Sequence, residues 1–322
     1  MIVAPTAASP YDPRDGQSSP LQGLVLVSTP IGNLGDISLR ARSVLLGCDL
    51  ILCEDTRRTA RLLSAMDIHT RTEALHEHNE DVRIPSILER LQSGRAIALV
   101  SDAGTPLVSD PGYRLVRAAI AASLAVTAIP GPNAAVTALI LSGLPPQPFL
   151  FLGFPPPKQT ARRGAFSILR AAERAGLSAT FVWYEAPHRL VETLVDLQDV
   201  FGNRSAAVAR EMTKRFEAVE RGKVSNLTAL FKGAPPRGEV TLIMGPPESD
   251  DPEDLDGRLR QALATQTVKD AAALVSAATG LPRKVVYGRA LQLHAEDEVN
   301  RRAAQSAASA TTGSPSCRSD SA

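Results

Sequence analysis

The amino-acid sequence predicts an α/β fold with two α/β lobes, followed by a small helical segment. Two observations indicate this fold class: short apolar runs alternate with stretches of helical periodicity, and a length of 322 residues exceeds what one hydrophobic core usually supports. Such alternation is typical of mainly parallel sheets that helices cover on both faces. The sequence therefore predicts two largely parallel sheets.

The apolar runs form two sets on either side of the proline-rich stretch 145–148. The runs predicted as strands are 24–28, 50–54, 96–101 and 125–129 in the first set, and 149–154, 179–185, 206–211 and 240–245 in the second. Apolar residues at i, i+3 and i+4 predict helices over 37–47, 84–94, 111–123 and 188–202. The proline-rich stretch is interpreted as a hinge between lobes at 24–144 and 148–247, and the spacing also allows one continuous domain.

Composition assigns the remaining segments. Residues 1–23 lack the basic start and apolar centre of a signal peptide and are predicted to be a disordered leader. The acidic segment 248–258 is predicted to be a solvated linker. A small helical domain is predicted at 259–295, with two helices around a turn at Gly280, and the Ala/Ser-rich tail 296–322 is predicted to be disordered.

The helical segment has a helix-turn-helix pattern. Thr267 and Asp270 are predicted to form a capping box, and Pro282 suits the first turn of the second helix. The basic residues on this second helix are Arg283, Lys284 and Arg289. The pattern suggests RNA contact, and a helical appendage that only packs is the alternative.

Charge and cysteine usage exclude several classes of protein. A net charge of +1 argues against a general polyanion binder, so DNA is not an expected partner. The three cysteines show no metal or disulfide spacing, which fits a reducing cytosol and a cytoplasmic protein. The uncharged stretch 118–157 is broken by prolines and glycines, so no membrane-spanning helix is expected.

Three loops rich in glycine and proline follow predicted strands, at 28–36, 101–112 and 129–139. Glycine permits close approach of the backbone to a ligand, and proline stiffens the rest of the loop. Because ligands of open α/β sheets bind outside the carboxyl ends of strands, the three loops predict one composite cleft for a small molecule.

Several common site chemistries are missing from the sequence. Neither the P-loop pattern G-x-x-x-x-G-K-[ST] nor the dinucleotide pattern G-x-G-x-x-G occurs. His76 and His78 could share one face of an extended segment, but no third ligand is evident and no metal site is predicted.

Charged groups at other predicted strand ends are candidates for function. Glu54, Asp55, Arg57 and Arg58 follow the second strand, where helix capping would explain Asp55 but not Glu54 or Arg57. A phosphate-facing patch is also predicted in the second lobe, with an ordinary solvated basic face as the alternative; its members are Arg189, Arg210, Lys214, Arg215, Arg221 and Lys223.

A long, ordered series of motifs resembles one known family. The segments are VSTPIGNLGDISLRA, CEDTRRTARLL, HEHNE, LVSDAGTPLVSDPGYRLV, PGPNAAVTALILSGLP, FLGFPPPK, YEAPHRL, REMTKRFE, GEVTLIMGP and AAALVSAATGLPRKVVYGRAL. They resemble the RsmI family of ribosomal small-subunit RNA 2′-O-methyltransferases, within the tetrapyrrole methylase superfamily. The resemblance implies two lobes with a cofactor cleft between them, S-adenosylmethionine as methyl donor and a homodimer. It also implies the substrate, the ribose of a cytidine in the decoding region of 16S rRNA in the small ribosomal subunit.

The resemblance also implies site residues. The expected cofactor-binding residues are Pro30, Ile31, Gly32, Asp102, Ala103, Gly104, Pro106, Pro132, Asn133, Ala134, Ala209 and Thr241. The catalytic candidates are Glu54, Asp55 and Glu185, because a base must take the hydroxyl proton. The expected substrate-binding residues are Arg57, Arg58, His78, Tyr184, Arg189, Arg210 and Lys214.

The first loop distinguishes among substrates. Relatives that act on tetrapyrroles carry a G-x-G-x-G-D type loop where this chain has TPIGNLGD, which favours RNA. Two alternatives stay open: a methylase of a tetrapyrrole or modified protein side chain, and a non-catalytic ribosome assembly factor on the same fold.

Overall fold

The computed structural model describes residues 22–247, 252–279 and 281–310. These residues divide into two compact units. The first unit comprises residues 22–165 and 180–245, and the second comprises residues 166–179, 246–247, 252–279 and 281–310.

The N-terminal half of the first unit is a parallel sheet, as predicted. Its strands are β1 (Gly23–Val27), β2 (Leu50–Cys53), β3 (Thr72–Ala74), β4 (Ala96–Val100) and β5 (Val126–Ile129), in the order β3-β2-β4-β1-β5. The helices are α1 (Leu39–Gly47), α2 (Thr56–Ala65), α3 (Glu80–Gln92), α4 (Tyr113–Ala121) and α5 (Ala134–Ser142). The short strand β3 was not predicted, because the sequence Thr-Glu-Ala gives no apolar signal.

Burial on both faces explains the apolar runs of this sheet. Val25 and Val27 pack with Val44 and Leu45 of α1 on one face, whereas Leu24 packs with residues of α3 and α4 on the other. Successive side chains of a strand point to opposite faces, so a strand covered on both sides must be apolar throughout.

The second sheet differs from the prediction. Its strands are β6 (Phe149–Phe151), β7 (Thr180–Glu185), β8 (Ser205–Arg210), β9 (Ala218–Lys223) and β10 (Val240–Met244), in the order β6-β7-β10-β8-β9. The helices α6 (Gln159–Arg174), α7 (Leu190–Phe201) and α8 (Val224–Gly233) accompany them in the sequence.

The prediction of a mainly parallel sheet is wrong here. Only β6 and β7 pair in parallel; β10 runs antiparallel to both β7 and β8, and β9 runs antiparallel to β8. The sequence of β9, AVERGK, carries charged residues and was not recognised as a strand. The short connection from β8 to β9 was therefore missed as well. A connection this short joins antiparallel strands, because parallel strands need a longer crossover.

The helix α5 links the two sheets of the first unit. Its residues Ala135, Ala138 and Leu139 pack against Val182 of β7 and Ile243 of β10. The loop before α5 therefore follows a strand of the first sheet and leads into a helix that packs on the second.

The second unit contains three further helices: α9 (Pro252–Leu263), α10 (Val268–Thr279) and α11 (Arg283–Ala310). Their apolar core includes Leu259, Ala272, Val275, Val286 and Leu293. Thr267 caps α10 as predicted, since the Asp270 N–H donates to Thr267 Oγ1 at 3.3 Å. The Asp270 carboxylate accepts from the Thr267 hydroxyl at 2.7 Å, where a full capping box would use the Thr267 backbone N–H.

Three predicted segments differ from the structure. The linker 248–258 is helical from Pro252, since proline and acidic residues suit the first turn of a helix; 248–251 lie outside the described residues. The tail 296–322 continues α11 to Ala310, because alanine strongly favours helix, and 311–322 lie outside the described part. The leader ends before Gly23, which begins β1, and its residues 1–21, like the predicted turn residue Gly280, are not described.

Among the described residues, no helix has both the length and the apolar character that crossing a bilayer requires.

Candidate functional site

The first two predicted loops pair with each other at the ends of β1 and β4. Thr29 and Gly104 exchange backbone hydrogen bonds, at 2.8 Å from the Thr29 N–H and 3.0 Å from the Gly104 N–H. The Ser101 hydroxyl donates to the Gly104 carbonyl at 2.8 Å, and the Thr29 hydroxyl donates to the Ser101 carbonyl at 3.2 Å. These buried contacts fix the two loops as one backbone unit.

The third loop, after β5, joins this unit through Thr105. The Thr105 hydroxyl donates to the Pro132 carbonyl at 3.1 Å, and the Asn133 amide donates to Thr105 Oγ1 at 3.1 Å. Asn133 also caps α5 by accepting from the Val136 N–H. Since β4, β1 and β5 are neighbours in the sheet, the prediction that these loops come together is confirmed.

The loop 101–112 has an unusual backbone. Gly104 has φ +84°, and a Cβ there would lie 3.3 Å from Ile31 Cγ2. Leu107 and Ser109 also have left-handed φ angles, of 70° and 67°, although neither is glycine. Residues with such backbone strain persist only where the surrounding structure holds them in place, and they cluster at functional sites.

A fourth loop, after β2, meets this one at Asp102. The Asp55 N–H donates to Asp102 Oδ1 at 3.1 Å, and Arg58 pairs with Asp102 Oδ2 at 3.2 Å. The Asp55 carboxylate itself caps α2, accepting from the Arg57 N–H at 2.8 Å. Hydrogen bonds from the Arg57 side chain and backbone hold the pKa of Asp55 below its usual range.

A cavity of about 380 Å³ is lined by these loops and by residues of the second sheet. The sequence-predicted residues that line it are Ile31, Arg58, Asp102, Ala103, Gly104, Ala134, Tyr184, Glu185 and Thr241. Thr105, Val108, Ser109 and Asp110 belong to the predicted loop 101–112 but were not named as site residues. The lining residues outside the predicted loops and site residues are Phe154, Ala186, Pro187, Met212, Gly238, Glu239 and Val240. Most of the lining from the first lobe was therefore expected, and much of the lining from the second was not.

The antiparallel direction of β10 explains part of this difference. Val240, its first residue, pairs with Glu185 at the end of β7 and with Arg210 at the end of β8. The residues just before β10, Gly238 and Glu239, thus lie at the same edge of the sheet as the ends of the other two strands.

Two family models match the chain. One, described as Tetrapyrrole (Corrin/Porphyrin) Methylases, matches residues 23–228, and the other, the RsmI C-terminal HTH domain, matches residues 249–294. The chain belongs to the RsmI family of tetrapyrrole methylases.

Curated relatives agree with this assignment. Three of them are named ribosomal RNA small subunit methyltransferase I. The protein from Micromonospora olivasterospora is 46% identical over 82% of this chain and 85% of its own length. Those from Mesorhizobium japonicum and Escherichia coli O157:H7 are each 43% identical over 84% of this chain, and over 92% and 94% of their own lengths.

Solved structures share the fold. A diphthine synthase aligns with a TM-score of 0.53 and 16% identity over 69% of this chain and 90% of its own. The methyltransferase CobJ aligns with a TM-score of 0.53 and 16% identity over 70% of this chain and 94% of its own. At these identities the likeness shows the fold alone.

Several residues predicted for this RsmI-family chain lie outside the cavity lining. From the expected cofactor set they are Pro30, Gly32, Pro106, Pro132, Asn133 and Ala209. From the expected catalytic and substrate sets they are Glu54, Asp55, Arg57, His78, Arg189, Arg210 and Lys214. Pro132 and Asn133 nevertheless support the lining through Thr105, and Ala209 is fully buried in the second-sheet core.

Lys214 connects the first loop with the second sheet. Its ammonium group pairs with Glu211 at 2.9 Å and with Glu239 at 3.2 Å. A Cβ on Gly32 would lie 2.4 Å from Lys214 Cγ, so the stem of the lysine packs on this glycine. Burial lowers the pKa of Lys214, but the two carboxylates outweigh it and the net pKa is raised.

Glu185 is a cavity residue whose two carboxylate oxygens both accept hydrogen bonds from neighbouring residues. It accepts from the Ala186 N–H at 2.7 Å, from the Thr193 hydroxyl at 2.5 Å and from Arg189 at 2.6 Å. This arrangement is typical of a carboxylate that holds a loop in place, and it also occupies Arg189.

Asp110 is the cavity carboxyl that the sequence analysis left without a role. Within the described residues, its carboxyl has neither a hydrogen bond nor an ion pair, and burial together with the charges of Glu54 and Asp102 raises its pKa to about 7. The S-D-P-G turn at 109–112 marked a fixed loop, but it did not show which side chain would face the cavity.

The predicted basic patch does not form one free surface. Lys214 and Arg189 are engaged as described, and Arg221 donates to the Leu141 carbonyl at 3.1 Å. Arg210 lies away from the main cavity, beside Arg237 at a second one of about 280 Å³.

The two histidines do not form a metal site in the part of the chain that the structure describes. The rings of His76 and His78 are 6.1 Å apart, and no group of three or more His, Cys, Asp or Glu residues is placed to hold an ion there.

Proposed function

We propose that this chain transfers a methyl group from S-adenosylmethionine to the ribose 2′-hydroxyl of a cytidine in the decoding region of small-subunit rRNA. The observation that carries the proposal is the similarity to relatives named as small-subunit rRNA methyltransferases, at 46% identity over 82% of the chain in one case. The tetrapyrrole methylase model matches residues 23–228, which include the loops after β1, β2, β4 and β5.

The cavity has the chemistry to hold this cofactor. Apolar side chains of Ile31, Val108, Ala134 and Met212 suit an adenine ring and a thioether stem, and the loop backbone around Gly104 offers polar groups for the rest. A side chain at position 104 would crowd Ile31, so glycine preserves this space. S-adenosylmethionine, when bound, supplies an electrophilic methyl group on a sulfonium centre.

The opposite wall offers aromatic surface for a nucleobase. Tyr184 lies edge-on to Phe154, with ring centroids 5.6 Å apart, and the Phe154 side chain is 55% exposed. Aromatic side chains stack on unpaired bases in RNA recognition. Arg58 lines the same cavity and pairs with Asp102, while its side chain stays 62% exposed at the surface where a ribose-phosphate backbone would lie. Holding the ribose oxygen against the cofactor in this way would supply much of the rate acceleration, because a positioned pair of reactants no longer depends on a bimolecular encounter.

The partners follow from the substrate. The proposed substrate is the small ribosomal subunit with its 16S rRNA, which places the enzyme in the cytoplasm. We also infer a homodimer. Val136 and Ile140, one helical turn apart on α5, are exposed apolar residues and a candidate contact for the second copy.

The proposed function is tested with labelled S-adenosylmethionine and small subunits that lack the modification. We expect label in the rRNA of small subunits and none in large subunits. Ala134→Phe, which places a ring in the cavity, should abolish transfer while the circular dichroism spectrum stays unchanged. Cofactor binding without transfer to subunits or free rRNA would instead favour another methyl acceptor or a non-catalytic role.

A further inference from the structure

The carboxyl group of Asp110 differs from every other acid around the cavity. Asp102 accepts from Asp55 and Arg58, Glu185 accepts from three donors, and Glu239 pairs with Lys214. Asp110 has no such partner among the described residues, although it lies in the cavity wall and is partly buried. A partly buried carboxyl that accepts no hydrogen bond from the protein carries a free-energy cost, and such a group in a cavity wall is a candidate for a function.

The backbone around Asp110 fixes this position. Ser109 has φ 67° and Gly112 has φ 115°, and Pro111 lies between them. A Cβ at Gly112 would lie 2.5 Å from Leu99 Cδ2, so the turn packs tightly on β4. The loop is therefore rigid at the point where it presents Asp110 to the cavity.

We propose that Asp110 is the general base of methyl transfer, taking the proton of the ribose 2′-hydroxyl. This inference rests on the proposed function. As the new bond between the 2′-oxygen and the methyl carbon forms, the bond between that carbon and the sulfonium sulfur breaks and its electron pair stays on sulfur. The hydroxyl proton passes to the Asp110 carboxylate, so the products are a neutral ribose methyl ether, a thioether and a protonated acid.

The surroundings of Asp110 suit a base that works near neutral pH. Glu54 from the loop after β2 and Asp102 from its own loop face it with negative charge, and Tyr184 of β7 faces it from the second sheet. Arg58 is directed to Asp102 and partly offsets that charge. Burial and the two carboxylates together raise the Asp110 pKa to about 7, which makes the group a stronger proton acceptor than a solvated aspartate.

The test compares single-turnover methyl transfer to unmodified small subunits by full-length wild-type, Asp110→Asn and Asp110→Glu proteins between pH 5.5 and 9. We expect the wild-type rate to rise with pH and level off above about 7. Asp110→Asn should lose about 100-fold or more in rate, together with the pH-dependent rise. Affinities for S-adenosylmethionine and for the subunit should stay within about two-fold of wild type, whereas Asp110→Glu should recover part of the rate and the rise.

Glu54→Gln probes the surroundings of the proposed base, because it removes a neighbouring negative charge and leaves Asp110 in place. The midpoint of its pH profile should move to lower pH than that of the wild type as the pKa of Asp110 falls.

A measurement on the cofactor-free protein gives a readout independent of activity. The folded-state pKa of Asp110 lies above its unfolded value, so the folded state binds more protons between the two values. The stability of the wild type should therefore fall as pH rises from about 4 to about 7, relative to Asp110→Asn. The inference is overturned if wild type transfers methyl and Asp110→Asn does so within about three-fold and with the same pH profile. Absence of transfer by wild type would overturn the proposed function, and the inference with it.

Discussion

Asp110 and Glu185 line the same cavity, but of these two carboxylates only that of Glu185 accepts hydrogen bonds from the described residues. Glu185 is almost fully buried and accepts three hydrogen bonds, from Ala186, Thr193 and Arg189. Two of these bonds fall on Oε1 and one on Oε2, so both oxygens of Glu185 are engaged in local contacts. Its contacts indicate that it holds the end of β7 and the start of α7 together.

Replacement of Glu185 tests this assignment. Glu185→Gln removes the charge opposite Arg189 and should destabilise the protein by about 3 kcal/mol, since breaking a buried pair strands the remaining charge. Urea denaturation measures the loss, and single-turnover transfer by the folded fraction should remain close to wild type. Unchanged stability with a rate lowered by two or more orders of magnitude would instead assign catalysis to Glu185.

At the scale of elements, the start of α2 shows why a strand-end acid need not be catalytic. The Asp55 carboxylate accepts from the Arg57 N–H, and its backbone N–H donates to Asp102. The first contact caps the N-terminus of α2, and the second fixes that N-terminus to the loop after β4.

Asp55→Asn should therefore retain methyl transfer, because asparagine also caps helices well. Asp55→Ala should lower the melting temperature by a few degrees. The pKa of Asp55 is depressed in the folded state, so its stabilising contribution is present at neutral pH and is lost as pH falls below the usual aspartate range. Thermal unfolding at pH 7 and pH 3 measures this difference; a large loss of transfer rate in Asp55→Asn would contradict the capping role.

How far the elements could be predicted depended on how each strand is covered. The strands of the first sheet are covered on both faces, so their apolar runs identified all but β3, and with them the loops around Asp102 and Gly104. In the second sheet, β9 carries charged residues and left no such signal. Because β9 was not recognised, the antiparallel direction of β10 was not predicted. The position of Glu239, just before β10, at the cavity was therefore not predicted either.

Asp110 could not be assigned from the sequence for a different reason. Burial raises its pKa most, and the charges of Glu54 and Asp102, which follow two strands separated along the chain, raise it further. Only the strand order, in which β2 and β4 are neighbours, brings these acids together.

At the scale of the whole molecule, the chain carries a second unit with its own basic residues. Arg289 is not free to bind RNA, because it pairs with Asp256 at 2.5 Å, and this hydrogen bond lowers the Asp256 pKa. Arg283 and Lys284, at the start of α11, are exposed and have no ion pair among the described residues. They are the candidates for phosphate contact in this unit.

The salt dependence of subunit binding tests this contact. If both side chains bind phosphates, Arg283→Ala combined with Lys284→Ala should lower the slope of log K against log salt by about 1.5. Lys269→Ala, an exposed lysine on α10, is the matched control and should leave the slope unchanged. An unaltered slope in the double variant would remove these residues from the interface.

The proposed function requires that one cavity direct a methyl group to one ribose oxygen. The most direct measurement is mass spectrometry of nuclease digests from previously unmodified small subunits after reaction with the wild-type protein and S-adenosylmethionine. We predict a single 2′-O-methylcytidine, from the decoding region of the rRNA. A methyl group on a base, on another nucleotide or on a ribosomal protein would rule out the proposed reaction.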